Sequence, residues 1–225
     1  FAVPEGTLDA WEARLGEAGV PGLERVNTFG ENRLLFQGPD GDGLALVEAD
    51  DDRAPWTGNG IGADTALRGF HSVELRLRDT GPTADLLGLM GYQEECRQGN
   101  VTRFVLPAHN GAGTVDLAQV DAPQADQGAG SVHHIAFAVD DRAAQLQIRQ
   151  ALTEAGAQIT PVIDRDYFWA IYFRSPGGVL FEIATNEPGF DRDEDLAHLG
   201  EALKLPQQHA HLRADLERRL EPLGD

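Results

Sequence analysis

The hexapeptide LTEAGA, Leu152–Ala157, has two near-copies in the same chain: LGEAGV, Leu15–Val20, and LGLMGY, Leu87–Tyr92. Each places a leucine four residues before a glycine at the end of a helix-prone stretch. Gly19, Gly91 and Gly156 therefore read as left-handed C-caps that turn a helix into a strand. Downstream of each comes a Gly-rich turn and an apolar run: GPDGDGLALVEAD (Gly38–Asp50), HNGAGTVDLAQV (His109–Val120) and SPGGVLFEIAT (Ser175–Thr185). These read as hairpins, with Gly43, Gly113 and Gly178 as the last turn glycines. Both glycine series step by about 70 and then about 65 residues, a regularity that marks an internal repeat.

Each unit reads strand, helix, strand, strand, strand. Leu8, Trp11 and Leu15 share a helix face in the first copy; Ala144, Ile148, Ala151, Leu152 and Ala155 do so in the last. VTRFVLP (Val101–Pro107) and WAIYF (Trp169–Phe173) have the β-branched and aromatic content of strands. The expected fold is α+β, with repeated βαβββ modules at 1–52, 69–125 and 131–187 forming mixed, curved sheets. A helical tail at 188–225 follows, expected to pack its leucines on the body, with His198, His209 and His211 on the surface. The acidic, Gly-rich segment Glu48–Gly69 reads as a linker. The competing reading is a generic α+β protein whose glycines coincide by chance.

The 225-residue chain is 41% hydrophobic, enough for a sizeable core. Its formal charge of -19, from 37 acids against 18 bases, argues against a nucleic-acid partner and for a small-molecule ligand. Lys204 is the only lysine, which fits either a GC-rich genome or adaptation to high salt. No apolar run is long enough to span a bilayer, and FAVPEGTLDAW lacks the pattern of a signal peptide, so a cytoplasmic protein without a membrane partner is expected. Cys96 is the only cysteine, which leaves His, Asp and Glu as metal donors. Because residue 1 is Phe and FAVP reads as the end of a strand, an upstream segment is expected.

Comparison of the repeats isolates the chemistry. Opposite His133-His134 in the last copy stand His71-Ser72 in the second, so only the last copy has His in the second slot. By strand alternation His134 shares its face with Ala136 and Ala138, small residues that leave room for a ligand; His133 shares the other with Ile135, Phe137 and Val139. Glu182 lies between Phe181 and Ile183, and a gapless alignment puts Val47 and Leu117 opposite it. A carboxylate buried in such a run is costly unless paired or bound to a cation. If the first and last strands of a unit are neighbours, His134 and Glu182 converge. They then form either a metal-free ion pair or part of a 2-His-1-carboxylate site.

GFHS (Gly69–Ser72), VHHIAFAV (Val132–Val139), DRDYFWAIYFRSPGGVLFEIAT (Asp164–Thr185) and PGFDRDED (Pro188–Asp195) resemble the vicinal-oxygen-chelate superfamily, and within it the dioxygenases that open hydroquinones. The resemblance implies four modules, of which this chain matches the second, third and fourth. It implies iron held by a first-module histidine together with His134 and Glu182, the first ligand lying in an upstream module. It also implies Arg165 and Tyr172 as pocket residues and His133 as the partner histidine, in proton transfer or ligand positioning. The expected activity is ring cleavage of a hydroquinone or catechol-like aromatic with O2 at non-haem Fe(II), with Mn, Zn or Ni as alternative metals; the segment alone should be inactive. The rivals are a glyoxalase-type lyase or isomerase and a metal-free drug-sequestering module. An unpaired last module would expose an apolar sheet face and favour homo-oligomers.

Overall fold

The computed structural model describes residues 1–107 and 113–221. The chain forms two compact units: residues 1–133 with 175–179, and residues 134–174 with 180–221.

The first unit holds two copies of one topology. In the first copy, β1 (Ala2–Val3), α1 (Leu8–Glu17), β2 (Glu24–Thr28), β3 (Glu31–Gln37) and β4 (Gly43–Glu48) give a sheet of order β1-β4-β3-β2. In the second, β5 (Ser72–Leu77), α2 (Gly81–Leu89), β6 (Gln93–Gln98), β7 (Val101–Val105) and β8 (Thr114–Gln119) give β5-β8-β7-β6. The second unit repeats the pattern with β9 (Ile135–Val139), α3 (Arg142–Glu154), β10 (Ile163–Asp164), β11 (Phe168–Arg174) and β12 (Leu180–Pro188), ordered β9-β12-β11-β10. In every copy the first strand runs parallel to the last, and the other pairings are antiparallel. The first strand is thus seated beside the strand that closes the unit.

The three caps are chemically the same. Gly19, Gly91 and Gly156 have φ of 72°, 96° and 91°. In each, the glycine N–H bonds back three residues, and the next N–H bonds to the carbonyl of Leu15, Leu87 or Leu152 at 2.9–3.0 Å. This is the Schellman arrangement, which satisfies carbonyls that a helix end leaves open. At the other end of α3, Asp141 accepts a hydrogen bond from Ala144 N at 2.8 Å, an N-cap.

The turn glycines differ from expectation in one place. Gly178 is left-handed (φ 85°), but in the first copy the left-handed residue is Gly41 (φ 86°), and Gly43 already belongs to β4. The turn at 108–112 lies outside the described residues.

Leu8, Trp11 and Leu15 face the first core as expected, with Val3, Leu34 and Leu46. The face of α3 does so in part. Leu152 is buried and Ala144 and Ile148 are half-buried, but Ala151 and Ala155 are exposed, and the face includes Gln145, a polar residue with no exposed surface. Gln145 is buried because its Nε2 bonds the carbonyls of Trp169 and Ile183 at 2.7 and 2.8 Å, tying α3 to two strands.

The Glu48–Gly69 segment is more ordered than a free linker. Trp56 N bonds Leu67 O, Gly58 bridges Ile61, and the Arg53 guanidinium joins Asp51 to the carbonyl of Phe70. That pairing with Arg53 holds the Asp51 carboxyl below its usual range. The tail is mostly single 3-10 turns, and α4 (Arg213–Arg219) is its one α-helix among the described residues. Its leucines pack only in part: Leu203, Leu205 and Leu216 are half-buried, whereas Leu196, Leu199, Leu212 and Leu220 are exposed, since such short elements present no continuous apolar stripe. His198 lies 3.1 Å from Glu201, exposed with it on the surface.

Candidate metal centre

The parallel pairing of β9 with β12 sets Ala136 opposite Glu182, and the antiparallel pairing of β11 with β12 sets Tyr172 opposite it as well. Side chains alternate across a sheet, so Glu182, Tyr172 and Ala136 share one face, while Phe181, Ile183, Ile171 and Phe173 fill the other and are fully or almost fully buried. His134 stands immediately before β9. Its Nε2 is 2.7 Å from Glu182 Oε2. The carboxylate is 4% exposed and the imidazole 34%, so the pair has one buried and one open end. Ala136 and Ala138 are exposed, leaving free surface beside it.

Tyr172 and Arg165 complete the cluster. The Tyr172 hydroxyl stands on the same sheet face as Glu182, the residue paired with it, and its ring meets His134 edge-on at 6.0 Å. Arg165 Nη2 donates to the same hydroxyl oxygen at 3.3 Å, its guanidinium 5.4 Å from the ring centre. Burial pushes the Tyr172 phenol above its ordinary pKa, Arg165 opposes that, and Glu182 reinforces it. The result is a relay of contacts Arg165, Tyr172, Glu182, His134, all in the second unit. His133, by contrast, is exposed and ends the first unit.

A divalent ion fits the His134–Glu182 pair. Two donors about 2.1 Å from a metal and at right angles lie about 3 Å apart, only a few tenths of an ångström wider than the observed contact. Among the described residues no group of three His, Cys, Asp or Glu could hold a metal, so these two leave further coordination positions to other donors.

The same strand positions in the first unit hold a different device. The pairing Arg103↔Asp116 occupies the place of Tyr172↔Glu182, and Arg33↔Val47 is its first-copy equivalent. The counterpart of Glu182 is thus Asp116, and the gapless alignment to Leu117 is one residue off. Val115 and Leu117 are 2% and 1% exposed and keep the core face, which turns Asp116 to the opposite one. Asp116, 1% exposed, accepts from Arg103 Nε at 2.8 Å and Nη2 at 2.9 Å, and from Arg33 Nη2 at 3.4 Å. Glu31 accepts from both arginines, at 2.6–3.0 Å, and lies 3.3 Å from His71 Nε2. Burial alone would raise the Glu31 carboxyl, but hydrogen bonds from His71, Arg103 and Arg33 bring it well below the usual carboxylate range. The alternation in VTRFV and TVDLA could have revealed this cluster, since Arg103 and Asp116 each sit between core-facing neighbours.

Residues 69–183 match the model of the Glyoxalase/Bleomycin resistance protein/Dioxygenase superfamily. The chain is 38% identical over 224 residues to MhqO of Bacillus subtilis (strain 168), provisionally named a ring-cleaving dioxygenase; the match spans 99% of this chain and 71% of that protein. It is 32% identical over 229 residues to the chlorohydroquinone/hydroquinone 1,2-dioxygenase of Sphingobium indicum, across 98% of this chain and 71% of that one. A crystal structure from B. subtilis subsp. subtilis str. 168, provisionally described as a dioxygenase, superposes with a TM-score of 0.92 at 37% identity, covering 99% of this chain and 72% of that chain.

Proposed function

Because the chain belongs to the glyoxalase/bleomycin resistance protein/dioxygenase superfamily, we propose that it serves ring cleavage of a dihydroxylated aromatic by dioxygen, with His134 and Glu182 as two protein ligands of a non-haem Fe(II). The observation that carries this reading is the 2.7 Å convergence of His134 and the buried Glu182 on a face left open by alanines. When bound, the ion supplies a redox-active Lewis acid; Mn, Zn or Ni would supply only part of that chemistry.

The remaining work falls to the chain. Ala136 and Ala138 give the ring room on the sheet. The Arg165 cation and the Tyr172 hydroxyl stand where a phenolic oxygen losing its proton gains a counter-charge and a hydrogen bond. Tyr172 also flanks Glu182 on the sheet, where it can orient the carboxylate that faces His134. No outside reductant is required, since the aromatic diol supplies the electrons that reduce both oxygen atoms as its C–C bond opens. The site uses residues of the second unit alone, and His133 is given no part in it.

The test is anaerobic Fe(II) loading of the protein with any upstream segment included, followed by hydroquinone and 18O2. Oxygen uptake and a ring-opened product carrying two labelled atoms support the proposal. Oxygen-independent turnover with Zn or Ni would replace it with glyoxalase-type chemistry, and stoichiometric binding without product would replace it with sequestration.

A further inference from the structure

The turn that presents Arg165 is held from outside its own hairpin. Between β10 and β11 the chain passes through Arg165, Asp166 and Tyr167, and Asp166 has φ 71°. Aspartate visits that left-handed conformation more readily than most residues with a Cβ, and such positions gather at functional sites. Two contacts are local: Arg165 N donates to Phe168 O at 2.9 Å, and Asp166 N to Asp164 Oδ1 at 2.8 Å.

Further contacts come from the stretch after β12. Gly189 N donates to Tyr167 O at 3.0 Å, and the Phe190 ring stacks on Tyr167 at 5.3 Å and 20°. Arg192 Nη1 donates to the carbonyl of Asp166 and lies 3.3 Å from its carboxylate. The Tyr167 hydroxyl donates to Asp193 Oδ2 at 3.2 Å, and Lys204 Nζ donates to Asp193 O at 2.8 Å, closing the stretch on itself. Phe190 is 61% exposed yet lies against two rings, at 6.2 Å from Phe168 as well as on Tyr167.

We infer that Phe190, Arg192 and Asp193 are positioning residues that strap the 164–168 turn so that the Arg165 guanidinium reaches Tyr172. The inference rests on the role given to Arg165 above. The lever is geometric: Arg165 is exposed and long, so its head group goes where its backbone aims it, and a small rotation at the neighbouring Asp166 is multiplied along the side chain. Arg192 binds at that neighbour. The strap therefore acts on substrate handling, and it leaves the His134–Glu182 pair, which sits on β12 and before β9, unaffected.

The experiment compares the Arg192→Ala, Arg192→Lys and Arg165→Ala variants and the Arg165→Ala/Arg192→Ala double variant with the unaltered chain. Amide exchange at 165–168 should quicken at least about tenfold in Arg192→Ala, with Ile171 and Phe173 in β11 unchanged, and the Arg165 guanidinium resonances should lose the shift that the Tyr172 ring imposes. With Fe(II) loaded, KM for hydroquinone should rise about tenfold, as in Arg165→Ala, with Mn(II) affinity unaltered. The double variant should be no worse than Arg165→Ala alone, and Arg192→Lys should restore much of the loss. Unchanged exchange in Arg192→Ala, or effects that multiply in the double variant, would overturn the inference. Should the loaded protein, any upstream segment included, turn over no diol at all, the proposed function fails, and the exchange and Arg165 resonance readouts still decide the strap either way.

Discussion

Asp116→Asn keeps the shape of a side chain that is 1% exposed and removes only its charge. In the native cluster two guanidiniums, Arg33 and Arg103, face two carboxylates, Glu31 and Asp116. Arg103 makes a two-pronged bond to Asp116, and Arg33 Nε is already buried without a partner. After the substitution the same two arginines, 5% and 7% exposed, share Glu31 alone. Removing one member of a buried pair costs about 3–5 kcal/mol, a large part of the roughly 5–15 kcal/mol that stabilises a typical domain. With a urea dependence of about 2 kcal/mol/M, the midpoint for the first unit should fall by about 2 M. Urea titration followed by circular dichroism measures it. Replacing both partners, as Asp116→Leu with Arg103→Met, should recover most of the loss, because Glu31 keeps Arg33 at 2.6 Å and His71 at 3.3 Å. A midpoint shift below about 0.5 M for Asp116→Asn would refute the reasoning, since the cluster would then be solvated and nearly neutral in energy.

Three further outcomes are expected. Glu31 has its carboxyl below its ordinary value of 4.5, so its contribution to stability is present above that pH and declines as the pH falls through it; Glu31→Gln should flatten the acid limb of a stability–pH curve. Fe(II) or Mn(II) at about 100 times its Kd should stabilise the folded protein by about 2.7 kcal/mol, and Glu182→Gln should abolish that gain in an anaerobic thermal-shift measurement. Asp141→Ala removes the N-cap of α3 and should cost about 1 kcal/mol in chemical denaturation, with no change in metal affinity.

The repeat was legible because it is written in glycines. Gly19, Gly91 and Gly156 need a left-handed backbone, and that need shows at a single position without knowledge of tertiary contacts. The pairing of His134 with Glu182 was legible for a related reason: Glu182 interrupts an apolar strand, and His134 stands where the second copy holds Ser72. Register was less legible. A count of four from the last turn glycine reaches Glu182 from Gly178 but Leu117 from Gly113, and only core packing of Val115 and Leu117 moves the carboxylate position to Asp116. Gln145 could not be read as core, because its burial depends on two carbonyls of strands distant in sequence. The hold of Arg192 on Asp166 was hidden likewise, since 26 residues separate them.

Corrected register changes what the repeat says about chemistry. Two of the three copies place a carboxylate at one strand position, and burial obliges each to find positive charge. Asp116 receives it from within the chain, in a bidentate contact with Arg103 from the partner strand. At the equivalent of Arg103 the last copy has Tyr172, a neutral donor, and among the described residues the ion-pair partner of that carboxylate is His134, cationic only when protonated. Neither an imidazole nor a phenol is a permanent cation beside Glu182, whereas two guanidiniums flank Asp116. Addition of Mn(II) should therefore protect amides of β12 from exchange and leave those of β8 unaltered; equal protection of both strands would remove the distinction between the two sites on which the metal assignment depends.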